Sequence, residues 1–415
     1  MSFEFFVARR FLKSNKLKST ISSPIVKVSV SAIAIGVFIM LISISAAAGL
    51  QLKIKEKVSA FKGHYQLYHF DNANSDISIT PMDAAEIDWQ RLKERVPTLE
   101  RYHPVIQKAG IIRTSITFEG IIAKGVDSLY DFRAFEEFLR AGRLPNYQID
   151  KPSNEALISA QKASLLNLSV GDSFNAYFLK ENDPSGIPNT RRFEVTGIYN
   201  SGFDEFDELF VFVDQRHLRT INRWSEEEFG HYELFISDFD EIDTYTETIY
   251  GETPSTIDVA TIKQSYYTVF EWIKLFDFNV IIIIIIMLLV GGINMITALL
   301  VLIIERTQSI GLLKALGATS SAIRKLFLIK ALNLIVKGVL IGNTAFLSLY
   351  FAQKQWGFLK FPNPEQYYVE VIPLHLEWSH LLAVNAGVII SCILMLIIPS
   401  VAISNIVPSR VMKFN

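Results

Sequence analysis

Two stretches of this 415-residue chain carry residues whose types and spacing could do chemistry, and in both the chemistry is recognition rather than bond making. The first begins where a long apolar run stops at Glu305-Arg306. Ile310-Gly-Leu-Leu-Lys-Ala-Leu-Gly317 follows, then a Gly-Ala-Thr-Ser turn, then the basic pair Arg324 and Lys325, then a second apolar run. This reads as a membrane helix, a small helix lying across its end, and a return helix. The second stretch is Glu181–Arg192, ENDPSGIPNTRR, set between two strand-like pieces. Two prolines and a glycine stiffen it and it has almost nothing to bury; composition alone would allow an ordinary hairpin connection.

The chemistry of catalysis is missing. No GxxxxGK[ST] occurs, so the chain should not bind ATP by itself. No GxSxG nucleophile elbow occurs either. The seven histidines form no HExxH or His/Cys cluster, and no metal site is expected. Asp and Glu show no spacing that commits them to acid–base work and read as a solvated surface. The single cysteine, Cys392, excludes an intrachain disulfide. A net charge of −2 argues against nucleic acid. Half the residues are hydrophobic, which fits a membrane protein with a large soluble part. The chain is expected to be a non-catalytic subunit.

The elements that position the two stretches follow from hydropathy. Residues 1–27 form a basic amphipathic N-terminus, with Phe3, Phe6, Val7, Phe11 and Leu12 on one helical face. Residues 28–50 are the first span. Residues 51–261 form a soluble α+β block, in two lobes with a boundary near Gly142–Ser153. Its strand-like pieces are His64–Phe70, Gly110–Phe118, Ser173–Phe178, Arg192–Tyr199 and Glu208–Val213. Its helical pieces start at Thr80-Pro81, with Thr80 as N-cap, and cover Ser159–Leu168 and Asp238–Tyr250. Residues 262–304 read as one unbroken helix of about 65 Å, ending as the second span. Residues 305–330 are the turn segment, 331–352 the third span with a Gly338/Gly342 small-residue pair. Residues 353–380 form a loop with Trp356 and Trp378 near its ends, 381–407 the fourth span with Pro399 kinking it, and 408–415 a tail. Lys and Arg concentrate in 1–27, in 305–330 and in the tail, so both termini and the turn segment are expected in the cytoplasm and the large block outside.

The segment NMITALLVLIIERTQSIGLLKALGATSSAIRKLF resembles the signature of FtsX-type ABC transporter permeases, within them the LolC/LolE lipoprotein-releasing branch. The resemblance rests on Glu305, Arg306, Ile310, Leu313, Lys314, Ala315, Leu316, Gly317 and Ala318. It extends to Phe6–Leu12, to Ala156–Ser159 with Leu168–Asp172, and to Pro399-Ser400 with Ile406–Pro408. It implies a four-helix permease of the inner membrane with a MacB-type periplasmic domain after the first helix. It also implies that Ile310–Gly317 is a coupling helix docking on a separate LolD-like ATPase subunit, which would hold ATP and magnesium, while this chain binds no cofactor. Leu312, Leu313 and Leu316 would insert and Lys314 would stay wet. Ile187-Pro188-Asn-Thr-Arg191-Arg-Phe193 resembles the close of the hook that recruits a LolA-like periplasmic carrier, with Asp183, Pro184, Ile187, Pro188, Arg191 and Arg192 as contact residues. A second permease chain, the same or different, is implied. An apolar shelter for lipoprotein acyl chains is expected between the outer halves of spans one and two, around Met40, Ile44, Ala47, Phe276 and Val280. Two other readings stay open: outward signalling to a cell-wall hydrolase, as FtsX-type relatives do, and MacB-like efflux.

Overall fold

The computed structural model describes residues 22–73, 75–114, 117–148, 150–179, 188–362 and 367–401. Residues 1–21 of the N-terminus expected to be amphipathic, and the tail 408–415, lie outside them, while residues 22–27 are helical. The described residues fall into two compact units. One holds residues up to Gln51, Trp272–Lys360 and those from Val371 on; the other holds Leu52–Glu271 and Phe361–Glu370.

Four helices are long and apolar enough to cross a membrane, Pro24–Lys62, Tyr267–Glu305, Ser320–Trp356 and Trp378–Ser400, and the first unit holds them except for Leu52–Lys62 and Tyr267–Glu271. Their shared core joins Ile33, Val37 and Leu41 to Leu299, Ile335, Phe346, Val388 and Cys392. Gly338 and Gly342 bring the third helix onto the first. A Cβ on Gly338 would stand 2.8 Å from the Ile33 Cβ, and one on Gly342 would stand 2.6 Å from the Ala34 carbonyl oxygen. Small residues let helix backbones approach where lipid offers no hydrophobic drive for association. Asn343 Nδ2 donates to Asn385 Oδ1 at 3.0 Å and ties the third helix to the fourth. Lys337 lies on the exposed side, and much of the Ile281–Ile286 run also faces outward. Pro399 sits in the last turn of the fourth helix. Trp356 and Trp378, at the two ends of the last loop, are exposed, as aromatic residues at a membrane interface are.

The second unit is built on a sheet. Its strands are β1 Tyr65–His69, β2 Met82–Asp83, β3 Leu99–Arg113, β4 Phe118–Val126, β5 Leu139–Gly142, β6 Glu155–Ser159, β7 Ser173–Phe178, β8 Asn189–Tyr199, β9 Phe210–Asp214, β10 Glu228–Phe229, β11 His231–Ile236 and β12 Ile257–Thr261. The main sheet runs β12-β1-β11-β3-β4-β9-β6-β8-β5, with β7 bridging β3 and β8; β2 and β10 pair separately. The β4–β9 and β6–β8 pairs are parallel. Short helices cover it, packing Ala163, Leu166, Leu218 and Ile221 on Ile106, Ile158, Val195 and Val213. This is an α+β domain.

Several local expectations change. The first helix does not stop at Leu50 but runs to Lys62. Ile54, Val58 and Phe61, at helical spacing, are fully buried beyond the apolar run, and Gly63 at φ +70° ends the helix. The piece expected as one strand, Gly110–Phe118, straddles a hairpin, in which the Thr114 amide donates to the Thr117 carbonyl. Thr80 does not begin a helix: Met82–Asp83 is a short strand, and Asp88 caps the helix Trp89–Arg95. The residues around Gly142–Ser153 are sewn into the sheet rather than dividing two lobes. Arg143 N–H donates to the Thr196 carbonyl and Ser153 N–H to Asp214 Oδ2. The long helix expected from Ile262 is interrupted at Tyr266. Thr261 and Gln264 form a capping box over Ile262–Ser265, and a new helix starts at Tyr267.

Gly342→Val should lower the thermal midpoint of the detergent-solubilised chain by roughly 4 °C or more, because the third helix must back away from the first. Gly387→Ala, where an added Cβ meets nothing within 4 Å, should leave the midpoint unchanged. Equal midpoints for both would show that the close approach does not matter.

Candidate functional sites

The turn between the second and third spans is made by two adjacent local signals. The helix Thr307–Ala315 is closed by Leu316 and by Gly317 at φ +91°. Gly317 N–H donates to the Lys314 carbonyl and Ala318 N–H to the Leu313 carbonyl, which is the Schellman arrangement. Two residues on, the Thr319 hydroxyl accepts from Ala322 N–H at 3.2 Å and starts the return helix. No atom approaches a Cβ built on Gly317, so glycine is required there by backbone angle and not by space.

This geometry divides the predicted coupling residues. Leu312 and Leu316 are 56% and 77% exposed. Ile310 is 1% exposed and sits in the four-helix core, with Leu313 packed against that core and Lys314 half-buried. The expected face of Leu312, Leu313 and Leu316 is therefore narrower, and Lys314 is less wet than expected. Glu305 and Arg306 are half-buried at the junction, Arg306 as the N-cap residue.

The hook expected at Glu181–Arg192 is described in part. Asp183, Pro184 and Ile187 lie outside the described residues. Pro188 is half-buried, and Arg191 and Arg192 lie within β8, opposite Ala176 and Asn175 of β7. The two arginines thus stand on the hairpin stem.

The five shelter residues do not form one open surface. Met40 and Ala47 are 2% and 8% exposed, inside the protomer's own packing. Ile44, Phe276 and Val280 are half-buried, with the Phe276 ring 5.0 Å from Trp272. The segment Pro373–His375 packs beside Ser45–Gly49 of the first helix. Ser45 Oγ donates to the His375 carbonyl at 2.9 Å, His375 N–H returns a bond to the Ser45 carbonyl, and a Cβ on Gly49 would collide with the Pro373 carbonyl.

One site in the soluble unit was not anticipated. The first helix ends in a socket. Phe61 stacks on Phe206 with centroids 4.5 Å apart and touches the rings of Phe135, Tyr199 and Phe212. Lys124, fully buried in β4, donates to the Phe61 carbonyl, to Tyr130 Oη at 3.2 Å, and to Glu233 Oε1 and Oε2 at 2.8 and 2.9 Å. The Tyr130 hydroxyl donates to the Ala60 carbonyl at 3.2 Å. A cation and a phenol thus satisfy carbonyls of the last helical turn, where the helix dipole favours positive charge. Burial alone would raise the Glu233 carboxyl, but Lys124 and the neighbouring His231 outweigh it and hold it at about 2. The sequence signal is a lone Lys inside the apolar strand Ile121-Ile-Ala-Lys124-Gly-Val126 and a lone Glu inside Tyr232-Glu-Leu-Phe-Ile236. Opposite charges in two buried strands require each other.

A second clasp involves the last loop. Lys57 Nζ donates to the Ser201 and Tyr368 carbonyls, both at 2.7 Å, and burial lowers its ammonium to about 8. The Tyr368 ring stacks on Phe203 at 4.0 Å.

Removing one partner of the socket pair should strand a buried charge. Lys124→Met is expected to cost about 3–5 kcal/mol in denaturant unfolding, and Lys124→Met with Glu233→Leu to regain most of it. Because the folded Glu233 value lies below the unfolded one, its contribution is present above the ordinary carboxylate range and is lost as pH falls toward 2. A Lys124→Met chain as stable as the native one would exclude this role.

The family model of the MacB-like periplasmic core domain matches residues 28–265, and that of the FtsX-like permease C-terminal region matches residues 281–408. The lipoprotein-releasing system transmembrane protein LolC of Neisseria meningitidis serogroup B is 20% identical over 308 residues, 70% of this chain and 73% of that protein. The LolC protein of Haemophilus influenzae is 21% identical over 327 residues, 76% of this chain and 80% of that protein. Among solved structures, the periplasmic region of MacB from Actinobacillus actinomycetemcomitans aligns over 49% of this chain and 91% of that chain, with a TM-score of 0.35 and 14% identity.

Proposed function

We propose that this chain, which belongs to the family of ABC transporter permeases with a MacB-like periplasmic core domain and an FtsX-like C-terminal region, serves in the inner membrane as the permease subunit of a lipoprotein-releasing transporter. The observation that carries the reading is its similarity to two LolC proteins over about three quarters of their lengths. Physical chemistry says what such a subunit must do. Each buried CH₂ of an acyl chain holds a lipoprotein in the bilayer by about 0.8 kcal/mol, so three chains amount to tens of kcal/mol. Extraction then needs an energy source and an apolar route.

In this reading the energy comes from a LolD-like ATPase chain, which carries ATP and magnesium. It docks on the exposed Leu312 and Leu316, while buried Ile310 and packed Leu313 hold the small helix to the four-helix core. Glu305, Arg306 and Lys314 flank that contact, and Gly317 sets the angle of the return helix. The route uses half-buried residues of the first two spans, with Ile44, Phe276 and Val280 as this chain's share and a second permease chain supplying the rest. Met40 and Ala47 support that surface from behind. The β7–β8 hairpin, with Arg191 and Arg192 on its stem, presents cargo to a LolA-like carrier. With both termini cytoplasmic, the domain and the carrier share the periplasmic side.

The test is reconstitution of the chain, its ATPase and a carrier in proteoliposomes loaded with a triacylated lipoprotein. ATP-dependent transfer to the carrier is expected. Leu312→Asp with Leu316→Asp should weaken ATPase binding at least about tenfold and stop transfer. ATP turnover with no transfer, together with co-purification of a peptidoglycan hydrolase or of an outer-membrane efflux channel, would replace lipoprotein release by signalling or by efflux.

A further inference from the structure

The soluble unit contains a polar cavity of about 470 Å³, within the roughly 300–1,000 Å³ range of small-molecule sites. Its wall includes Lys62, Asp76, Gln107, Glu205, His231 and Tyr266. One buried polar atom there, Gln107 Nε2, finds no hydrogen-bond partner among the described residues. Gln107 is 4% exposed, and its backbone is fixed on both sides by Ser78: Ser78 N–H donates to the Gln107 carbonyl, and Gln107 N–H donates to Ser78 Oγ. A buried amide held this firmly and left unsatisfied asks for an acceptor that is not protein.

The charges around the cavity say what kind of molecule would supply it. Lys62 Nζ lies 3.1 Å from Asp76 Oδ1 and over the Phe210 ring, and Glu205 stands as a second carboxylate in the wall. A simple anion would meet Gln107 and Lys62 but also two carboxylates. A simple cation would leave the Gln107 donor unanswered. A molecule with both charges serves all of these groups, its carboxylate toward Gln107 and Lys62 and its ammonium toward Asp76 and Glu205.

We propose that this cavity is a binding site for a small zwitterion of amino-acid to dipeptide size. Its position gives the site leverage. Lys62 is the last residue of the first long helix, and Tyr266 is the residue at which the helical run leading to the second span is interrupted. A ligand bound there contacts the ends of both within the soluble unit. The site is independent of the transported cargo and would hold whether or not the chain releases lipoproteins.

The experiment measures the thermal midpoint of the full chain in detergent with millimolar L-alanyl-L-alanine, its N-acetyl form and its C-terminal amide. The dipeptide should raise the midpoint in proportion to the logarithm of its concentration, as a ligand of the native state does. The two singly charged forms should raise it by less than half as much. Gln107→Leu removes the unsatisfied donor and should keep the fold while losing the shift. Glu205→Gln, which changes no volume, should weaken the shift and stands in if Gln107→Leu does not fold. No shift with the dipeptide, equal shifts with all three forms, or an undiminished shift in the variant that folds would overturn the proposal.

Discussion

The buried pair Lys124–Glu233 is the interaction on which the soluble unit most depends. Two charges leave water only when each is matched, and here the match includes more than the pair. The ammonium also meets the Phe61 carbonyl and the Tyr130 hydroxyl, and Tyr130 in turn meets the Ala60 carbonyl. A helix that ends inside a domain must satisfy its final carbonyls there, and an apolar wall cannot do it. The rings packed around Phe61 exclude water, which strengthens the electrostatic contacts and would make any missing partner costly. Lys124 and Glu233 come from β4 and β11, the two strands on either side of β3, so the sheet order is what brings them together.

The turn after the second span solves the opposite problem with local means. There the chain must reverse and still present an apolar patch. Gly317 supplies a left-handed residue, Thr319 supplies a cap, and the intervening Ala318 packs inward. The helix before them is divided by its own periodicity: Ile310 and Leu313 point to the four-helix core, while Leu312 and Leu316 are left outside. One short segment is thereby both anchored and available.

What was legible in the sequence follows from the range of the physics. The four spans were legible because hydropathy is additive along a chain, and the turn after the second span because glycine and threonine act on their immediate neighbours. The tight contact of Gly338 and Gly342 was legible as a contact, though only the structure names the first helix as its partner. The hairpin at Thr114–Thr117 was missed because Ile111, Ile112, Thr114, Thr117 and Phe118 all favour strand, and nothing in propensity marks the reversal. The extension of the first helix to Lys62 was missed because Lys53, Lys55 and Glu56 end the apolar run, while Ile54, Val58 and Phe61 continue the helical face. Position along the first two spans is legible in the sequence, but the direction in which each residue faces is not. Burial of Met40 and Ala47 depends on which way each helix turns, and that is decided by neighbours far away in sequence. The cavity beside Gln107 had no sequence signal, since it is defined by an atom that lacks a partner.

The Lys57–Tyr368 clasp has a consequence for how the protein is made. Residues 361–370 belong to the soluble unit, yet they follow the third span, about ninety positions after the rest of that unit is complete. Synthesis proceeds from the N-terminus, so the face around Phe203 and Ser201 stays open while the second and third spans are inserted. The domain closes only when the last loop has been delivered to its side of the membrane. A chain whose third span had failed to insert would leave the Phe203 ring without Tyr368 and Lys57 Nζ with the Ser201 carbonyl alone.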